Sequence, residues 1–533
     1  MQSGWKADIL DKNVVLPRNR RENMPSRLKM TAKNAFWSYI SMVVSLLLQF
    51  VSRTVFIYYL GEGYLGINGL FSNILGVLSF AELGIGTAIN FSLYKPVAEN
   101  DTEKIKTYMH YYKCAYRVIA LVVATLGLAL IPFLDVLVTD PGNVGNIRIY
   151  YIIYLFNVVS SYFVSYKYSL VNAEQKNYIY TNINLILSAT TTVIQIISLL
   201  VWKSFLAYLL VAAFFEVFQK IFISKYFDRL YPYLKEKNVQ KLTNAEKGTL
   251  ITKIKALIIH KIGDVSVHQT DNIIVSAFVS TKTVGLLSNY NLLISTVSSC
   301  INVLFNSVTV SLGNMVATES KEYQYEVFKK YRFIGFWFYG FTAIALGILM
   351  TPFITLWIGG RMVVNSVVVH LLIIDYYMIG QRICLNNIKS AAGLYEPDKY
   401  VALLQAVVNL VASIALVKLI GLPGVYVGTI IQGTLSTILK PILSYKVMFG
   451  ISSRYYFIDS VKYGSAVIVS YLICGTIGDF ILSNVTVINF ICMMAVVVVV
   501  PNMVFVLLFH RCPEFQFMTD TARKLAGQRF RKR

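Results

Sequence analysis

Long apolar stretches alternate with short polar connections over most of the chain. Between Phe36 and His510 about fourteen of these stretches follow one another. Most of them reach the roughly 20 residues that a helix needs to cross the ~30 Å hydrocarbon core of a bilayer. The pattern predicts an all-α polytopic membrane protein with about fourteen transmembrane helices. The predicted spans are 36–59, 67–94, 114–138, 147–172, 179–201, 204–225, 256–280, 284–313, 331–358, 363–388, 399–420, 423–446, 459–481 and 484–510.

Basic residues concentrate at alternate connections between these stretches. A basic arm (1–35) precedes the first span, a basic tail (511–533) follows the last one, and the connection 226–255 is rich in lysine. The connections on the other side, such as 61–64, are short and nearly free of basic residues. Because Lys and Arg in short loops remain cytoplasmic, we expect both termini in the cytoplasm. The expected location is the cytoplasmic (inner) membrane, with an even number of spans.

The composition is that of a chain solvated mainly by lipid. It is 56% hydrophobic and 14% charged, with a mean hydropathy of +0.59, whereas a soluble protein carries about 25% charged residues. The net charge of +22 is spread over the ends of the predicted helices, so it indicates anionic lipid headgroups as partners and no nucleic acid. The six cysteines show no Cys-x-x-Cys spacing, so neither a disulfide framework nor a metal site is indicated, and no cofactor is expected.

A faint internal repeat divides the chain into two lobes. A shift of 219 positions aligns spans one and two with spans seven and eight, and places Gly66 on Gly285. Six spans per lobe is an even number, so both lobes enter the membrane in the same direction, and a substrate site is expected where the two meet. The expected units are an N-lobe with spans one to six (36–225), a cytoplasmic linker (226–255), a C-lobe with spans seven to twelve (256–446) and two extra C-terminal spans (447–510).

Arg53 is the most informative polar residue within the predicted spans. It lies about seven residues before the end of span one, at a depth where an arginine costs about 3 kcal/mol unless it snorkels, pairs or faces water. Facing an aqueous cavity would suit an anionic cargo, because the planar guanidinium matches phosphate and carboxylate. Gln49, Asn291 and Asn302 are further candidates for cargo contacts. The asparagines of span eight could instead join helices.

Span seven carries ionisable residues on one face. Asp264, His268 and Asp271 are separated by steps of four and three residues, so they form a stripe that must face the protein interior. Such a stripe either binds a proton or cation in a transporter or joins helices as a polar seam. Asp271 lies at nearly the depth of Arg53, and the two could face each other across the lobe interface. Glu82 in span two is a further ion-coupling candidate.

The first two spans carry a resemblance to a known family. The segment 53–69 reads RTVFIYYLGEGYLGING, and the segment 80–88 reads FAELGIGTA. These motifs and the predicted topology resemble the Wzx-like, O-antigen-type oligosaccharide flippases of the multidrug/oligosaccharidyl-lipid/polysaccharide exporter superfamily. The resemblance implies translocation of an undecaprenyl-diphosphate-linked oligosaccharide by alternating access, and association with polysaccharide assembly proteins. Arg53 matches the arginine that related peptidoglycan-precursor flippases use to meet the diphosphate, although Thr54 follows it where those relatives often carry an acid.

Two other functions compete with this interpretation. A cation-coupled multidrug antiporter of the same superfamily would share the fold, and the acidic stripe of span seven keeps that alternative open. A membrane glycosyltransferase or polysaccharide polymerase would need a sizeable extramembrane domain or a large external loop with paired acids. The predicted connections are too short for either, so we expect a transporter with no catalytic residues.

Overall fold

The described part of the chain is helical throughout its regular structure, as the apolar pattern predicts. The computed structural model describes residues 27–82, 85–174, 176–236, 239–392, 394 and 399–530. Within these ranges it describes only the backbone of 27–36, 38–39, 80–81, 87, 245, 249, 253, 255–268, 310, 399, 522 and 524–530. Twelve helices within this part are long and apolar enough to cross a membrane. The prediction of a polytopic all-α membrane protein is therefore confirmed.

The N-terminal half contains eight helices in the described residues. Their bounds are α1 Arg27–Leu78, α2 Ile85–Glu99, α3 Thr102–Ala129, α4 Leu134–Leu137, α5 Ile147–Ser165, α6 Tyr168–Ala173, α7 Asn177–Trp202 and α8 Phe205–Leu230. The C-terminal half contains ten further helices in the described residues. Its helices are α9 Asn244–Phe278, α10 Thr281–Ser307, α11 Thr309–Thr318, α12 Lys321–Ile358, α13 Ser366–Ala391, α14 Lys399–Ile420, α15 Leu422–Phe449, α16 Arg454–Ile481, α17 Val487–Phe509 and α18 Pro513–Phe530.

Helix α1 contains a sharp break at Gly61. This glycine has φ +78° and ψ −171°, a backbone conformation that residues with a side chain rarely adopt. The break separates two helical arms that correspond to predicted spans one and two. The turn between α9 and α10 includes Ser280, which lies 219 positions after Gly61. This turn therefore occupies the place that the sequence repeat makes equivalent to the break at Gly61.

The difference between twelve helices and about fourteen predicted spans has two sources. The stretch Ile40–Leu78 counts once although it contains both arms of α1. Helix α9 covers predicted span seven but is not among the twelve, because its 35 residues include several charged side chains. A test of length and composition therefore omits a helix whose apolar stretch is interrupted by charged residues.

Helix boundaries at the basic connections differ from the predicted ones. Helix α8 continues to Leu230, and α9 already begins at Asn244, where the Thr243 side chain and Glu246 form a capping box. Residues 231–243 thus join α8 to α9, a shorter segment than the predicted linker 226–255. As names only, α1–α8 are called the N-lobe and α9–α15 the C-lobe. Helix α1 begins at Arg27 within the predicted arm, and α18 lies within the predicted tail. The ends of these helices are polar, so they lie outside the apolar stretches from which the spans were predicted.

The last two membrane helices pack on the C-lobe through an aromatic cluster. Phe336 of α12 stacks on Tyr463 of α16 with a centroid distance of 4.3 Å, and lies 4.9 Å from Phe505 of α17. Phe509 lies 5.3 Å from the same ring. Helices α16 and α17 therefore pack on α12 through these rings.

Candidate functional site

The two lobes meet in close backbone contact near Gly61. A side chain at Gly66 would overlap the carbonyl group of Thr281, and one at Gly285 would overlap the carbonyl of Glu62. Gly66 and Gly285 are equivalent under the repeat, so each lobe contributes the same small residue to the crossing of α1 and α10. We call this end of the bundle the Gly61 end.

Residues 137–140, at the end of α4, join the N-lobe to the C-lobe at the Gly61 end. The backbone N–H of Thr281 donates to the carbonyl of Thr139 at 2.7 Å, and the Ser276 hydroxyl donates to the carbonyl of Leu137 at 2.7 Å. Lys282 Nζ lies 3.5 Å from a carboxylate oxygen of Asp140. The lobes are therefore closed against each other at the Gly61 end.

Arg53 lies just beside this closed contact. Its Nη1 donates to the hydroxyl of Ser288 on α10 at 2.8 Å, so it bridges the N-lobe and the C-lobe. No Asp or Glu in the described residues lies within 4 Å of its charged nitrogens. A guanidinium has five N–H donors, and the printed bond uses one of them. Its described neighbours are hydroxyl groups, that of Ser288 through the hydrogen bond and that of Tyr208 through an electrostatic interaction.

Arg53 opens into a cavity of about 380 Å³. Gln49 lines the same cavity, so two of the predicted cargo-binding residues are brought together. Sequence reasoning missed the other polar side chains of this site, because single Ser, Asn, Gln and Tyr residues are common in transmembrane helices. They are Ser45, Ser52, Asn68, Ser188, Thr192, Gln195 and Tyr208. The cavity belongs to the N-lobe and is lined by α1, α7 and α8.

Asp271 lies in a separate polar cluster within the C-lobe. One of its carboxylate oxygens accepts a hydrogen bond of 2.9 Å from the Thr429 hydroxyl of α15. The other oxygen is shielded from solvent and has no hydrogen bond of ordinary geometry, although the Asn409 amide of α14 lies near the carboxylate. Asn409 also donates to the Thr429 hydroxyl at 3.3 Å, and Asp375 of α13 is near enough to interact electrostatically with Asp271. The cluster is rich in oxygen atoms and contains two acids, and Arg382 of α13 interacts electrostatically with Asp375.

The described structure shows no ion pair between Arg53 and Asp271. Arg53 donates to Ser288 on α10, whereas Asp271 accepts from Thr429 on α15. The side chains of Asp264 and His268, predicted on the same face of α9, lie outside the described residues.

Glu82 lies in a third place, within the N-lobe. It ends the short 3₁₀ turn Ser79–Glu82 that follows α1, and it accepts a 2.5 Å hydrogen bond from the Tyr116 hydroxyl. Tyr112 donates in turn to Tyr116 at 3.1 Å. Glu82 therefore neither approaches Arg53 nor joins the Asp271 cluster.

The two asparagines predicted on span eight have different surroundings. Asn302 accepts a hydrogen bond of 2.8 Å from the Tyr339 hydroxyl of α12, so its side chain joins two helices of the C-lobe. Asn291 is half-buried and lies one helical turn after Ser288, the partner of Arg53. Of the two, only Asn291 is on the part of α10 that adjoins the Arg53 site.

Comparison with solved structures identifies the fold. The lipid II flippase MurJ in an inward closed conformation superposes with a TM-score of 0.60 at 14% identity, over 89% of this chain and 98% of that one. An inward-facing multidrug resistance MATE family transporter of the MOP superfamily gives 0.57 at 13% identity, over 77% and 96%. The MATE multidrug transporter DinF-BH gives 0.56 at 17% identity, over 80% and 98%.

This chain has the fold of MATE transporters and MurJ. Identities of 13–17% extend the likeness to the fold alone. No protein-family model and no curated protein matches the sequence. The fold agrees with the superfamily that the first two spans resemble, and all three neighbours are transporters or flippases by name.

Proposed function

We propose that this protein moves a lipid-diphosphate-linked oligosaccharide, of the undecaprenyl-diphosphate class, across the cytoplasmic membrane by alternating access. The observation that carries the proposal is Arg53. Its guanidinium lines a polar cavity beside the lobe interface, and no carboxylate of the described chain neutralises it. A cation so placed favours an anionic cargo.

Physical chemistry explains why such a cargo needs this kind of site. Moving a charged diphosphate through hydrocarbon costs tens of kcal/mol by Born estimates, so it requires a wet cationic path. The planar fork of arginine can hold two oxygens of a phosphate at once. Lobes that close at the Gly61 end leave the cavity accessible from elsewhere, and rocking of the lobes would reverse that access. No covalent chemistry is needed.

We further propose that Asp271 couples transport to a cation or proton. Its carboxylate is shielded from solvent and accepts a hydrogen bond from the Thr429 hydroxyl, and the Asn409 side chain and the acidic Asp375 lie near it. Oxygen ligands suit a small hard cation, and a shielded carboxylate equally suits a proton. Because Arg53 and Asp271 are in different lobes, coupling would act through the relative position of the lobes.

The basic connections support an orientation with the Gly61 end outside the cell. Reporter fusions at residues 237 and 533 test it, and both are expected to read cytoplasmic. An external signal at either position would contradict this orientation and with it the parallel arrangement of the two lobes.

Reconstituted liposomes test the proposed cargo directly. The purified full chain is expected to accelerate the flipping of fluorescently labelled undecaprenyl diphosphate carrying N-acetylglucosamine, measured by chemical quenching of the outer leaflet. Labelled undecaprenol, which lacks the diphosphate, should flip no faster than in protein-free liposomes. Equal acceleration of both lipids would contradict recognition of the diphosphate.

A cation-coupled drug antiporter is the second candidate. The specific observation in its favour is the pair of neighbouring acids Asp271 and Asp375, since carboxylates attract cationic drugs as well as ions. The same liposomes distinguish the two functions. Gradient-driven uptake of a cationic dye without flipping of the diphosphate lipid would favour the antiporter.

A further inference from the structure

A second cavity of about 560 Å³ lies in the N-lobe and continues from the Arg53 cavity. We call it the N-lobe chamber. Asn68, Gln195 and Tyr208 line both spaces, so the two cavities share a wall. The chamber follows α8 from Tyr208 to Gln219, a rise of about 16 Å. A ligand held at Arg53 could therefore extend into it.

Aromatic and amide side chains alternate around the chamber. The rings of Tyr168 and Tyr180 lie 4.3 Å apart and form its end away from Arg53. Tyr154 is held by donating a 2.5 Å hydrogen bond to Asn68. Asn157 lines the same wall, and its Oδ1 is buried without a hydrogen-bond partner in the described structure.

Two charged residues of α8 complete the lining. Lys220 Nζ donates to the carbonyl of Asn157 at 2.8 Å and to the hydroxyl of Ser160 at 2.9 Å, so it is largely satisfied by its own lobe. Glu216 lies 3.3 Å from the same nitrogen, and 42% of its side chain remains exposed. The chamber thus offers a partly exposed carboxylate and one amide oxygen without a described partner, that of Asn157, and no unpaired cation among its described residues. The Gln219 amide nitrogen already donates to Asn184 at 2.7 Å.

Helix packing does not account for this arrangement. A polar seam between helices closes on itself, whereas these side chains surround a space large enough for a ligand and leave a buried acceptor unused. A flat apolar drug would leave the amides and the carboxylate desolvated without partners, which is costly. A sugar matches both features, because its C–H faces pack on tyrosine rings while its hydroxyls bond to amide and carboxylate groups.

We propose that the N-lobe chamber binds the sugar units of the cargo while Arg53 holds the phosphate next to them. This inference rests on the proposed function and adds that recognition of the saccharide belongs to the N-lobe. Tyr168 and Tyr180 stack on the sugar, and Asn157, Glu216 and Gln219 bond to its hydroxyls. Under this proposal the C-lobe does not contribute to recognition of the sugar units.

Binding of two lipids to the purified full chain tests the proposal. The probes are undecaprenyl diphosphate and the same lipid carrying N-acetylglucosamine, and the quantity measured is the Kd. The wild type is expected to bind the glycosylated probe about tenfold or more tightly. Asn157→Ala and Tyr180→Leu should each remove that preference and leave the Kd of undecaprenyl diphosphate unchanged.

Two further variants separate this proposal from the proposed function. Arg53→Ala should weaken both probes by the same factor, because it acts on the phosphate they share. Thr190→Ala is the matched control on α7, since its hydroxyl is exposed and bonds only to the carbonyl of Ile186 in its own helix; it should behave as the wild type.

The outcomes are distinct. If the wild type binds both probes equally, or if the chamber variants keep the preference, the saccharide site is overturned while the role of Arg53 stands. If Arg53→Ala leaves both Kd values unchanged, the proposed function fails. A chamber variant that keeps the wild-type melting temperature but weakens both probes equally also overturns the proposal.

Discussion

Replacing Arg53 with alanine is expected to reduce flipping of the diphosphate-linked lipid by about a hundredfold while the protein stays folded in the membrane. Removing one partner of a buried charged pair costs about 2–5 kcal/mol of binding, and a hundredfold corresponds to about 2.7 kcal/mol. The fold should tolerate the change, because the guanidinium donates to one neutral hydroxyl, a bond worth about 1 kcal/mol. Arg53→Lys should restore flipping only in part, since ammonium keeps the charge but loses the fork.

The controls for this prediction separate charge at the site from charge in general. Lys203 lies at the same end of the bundle, exposed and 5.7 Å from the Tyr59 ring, and does not line the cavity. Lys203→Gln removes one positive charge there and should flip lipid at the wild-type rate. Ser288→Ala removes the bond between lobes and should have a small effect. Normal flipping by a well-expressed Arg53→Ala variant would rule out cargo binding by Arg53.

The fold was accessible from the sequence because a membrane imposes a simple rule on helices. Each span must be apolar over a fixed length, so thirteen of the helical segments, counting both arms of α1, follow directly from the apolar pattern. The repeat also predicted that Gly66 and Gly285 are equivalent, and they meet at the lobe crossing. Helix ends were poorly predicted, because capping residues such as Thr243 extend helices into polar sequence.

Only part of the candidate site could be predicted from the sequence. Arg53 could be found because an arginine inside a span is costly unless it has a partner or faces water. Gln49 could be found because it lies one helical turn before Arg53. Ser288 could not, because it is 235 positions away and a serine in a helix signals nothing by itself. The same holds for Thr429, which is 158 positions from Asp271. Depth along a helix can be counted from sequence, but the direction of a face toward one neighbour or another cannot.

The N-lobe chamber could not be predicted from the sequence for a similar reason. Its lining comes from α1, α5, α6, α7 and α8, and each helix contributes residues of ordinary type. Tyrosines near the ends of spans usually form interfacial belts. Tyr168 and Tyr180 instead lie against each other at a cavity wall. Only the packing of five helices shows that these residues share one space.

Asp271→Asn is expected to abolish the dependence of transport on ion gradients while leaving passive flipping intact. Moving one coupled monovalent cation through 100 mV is worth about 2.3 kcal/mol, which supports a leaflet ratio of the cargo of about fiftyfold. The variant should reach a ratio near one, because the neutral amide cannot attract a cation or carry a proton. Liposomes with an imposed sodium gradient, and separately a proton gradient, measure this ratio and identify the ion.

The structure makes this test discriminating, because asparagine keeps the shape of aspartate and can still accept the hydrogen bond from Thr429. Asp479→Asn is the matched control, since it makes the same change at an exposed acid of α16. If Asp271→Asn keeps the full gradient response, Asp271 only joins α9 to α15. A double-mutant cycle with Thr429→Val would then show coupling in stability and none in transport. Loss of the gradient response with passive flipping retained would instead place ion coupling in the C-lobe, apart from the cargo site at Arg53.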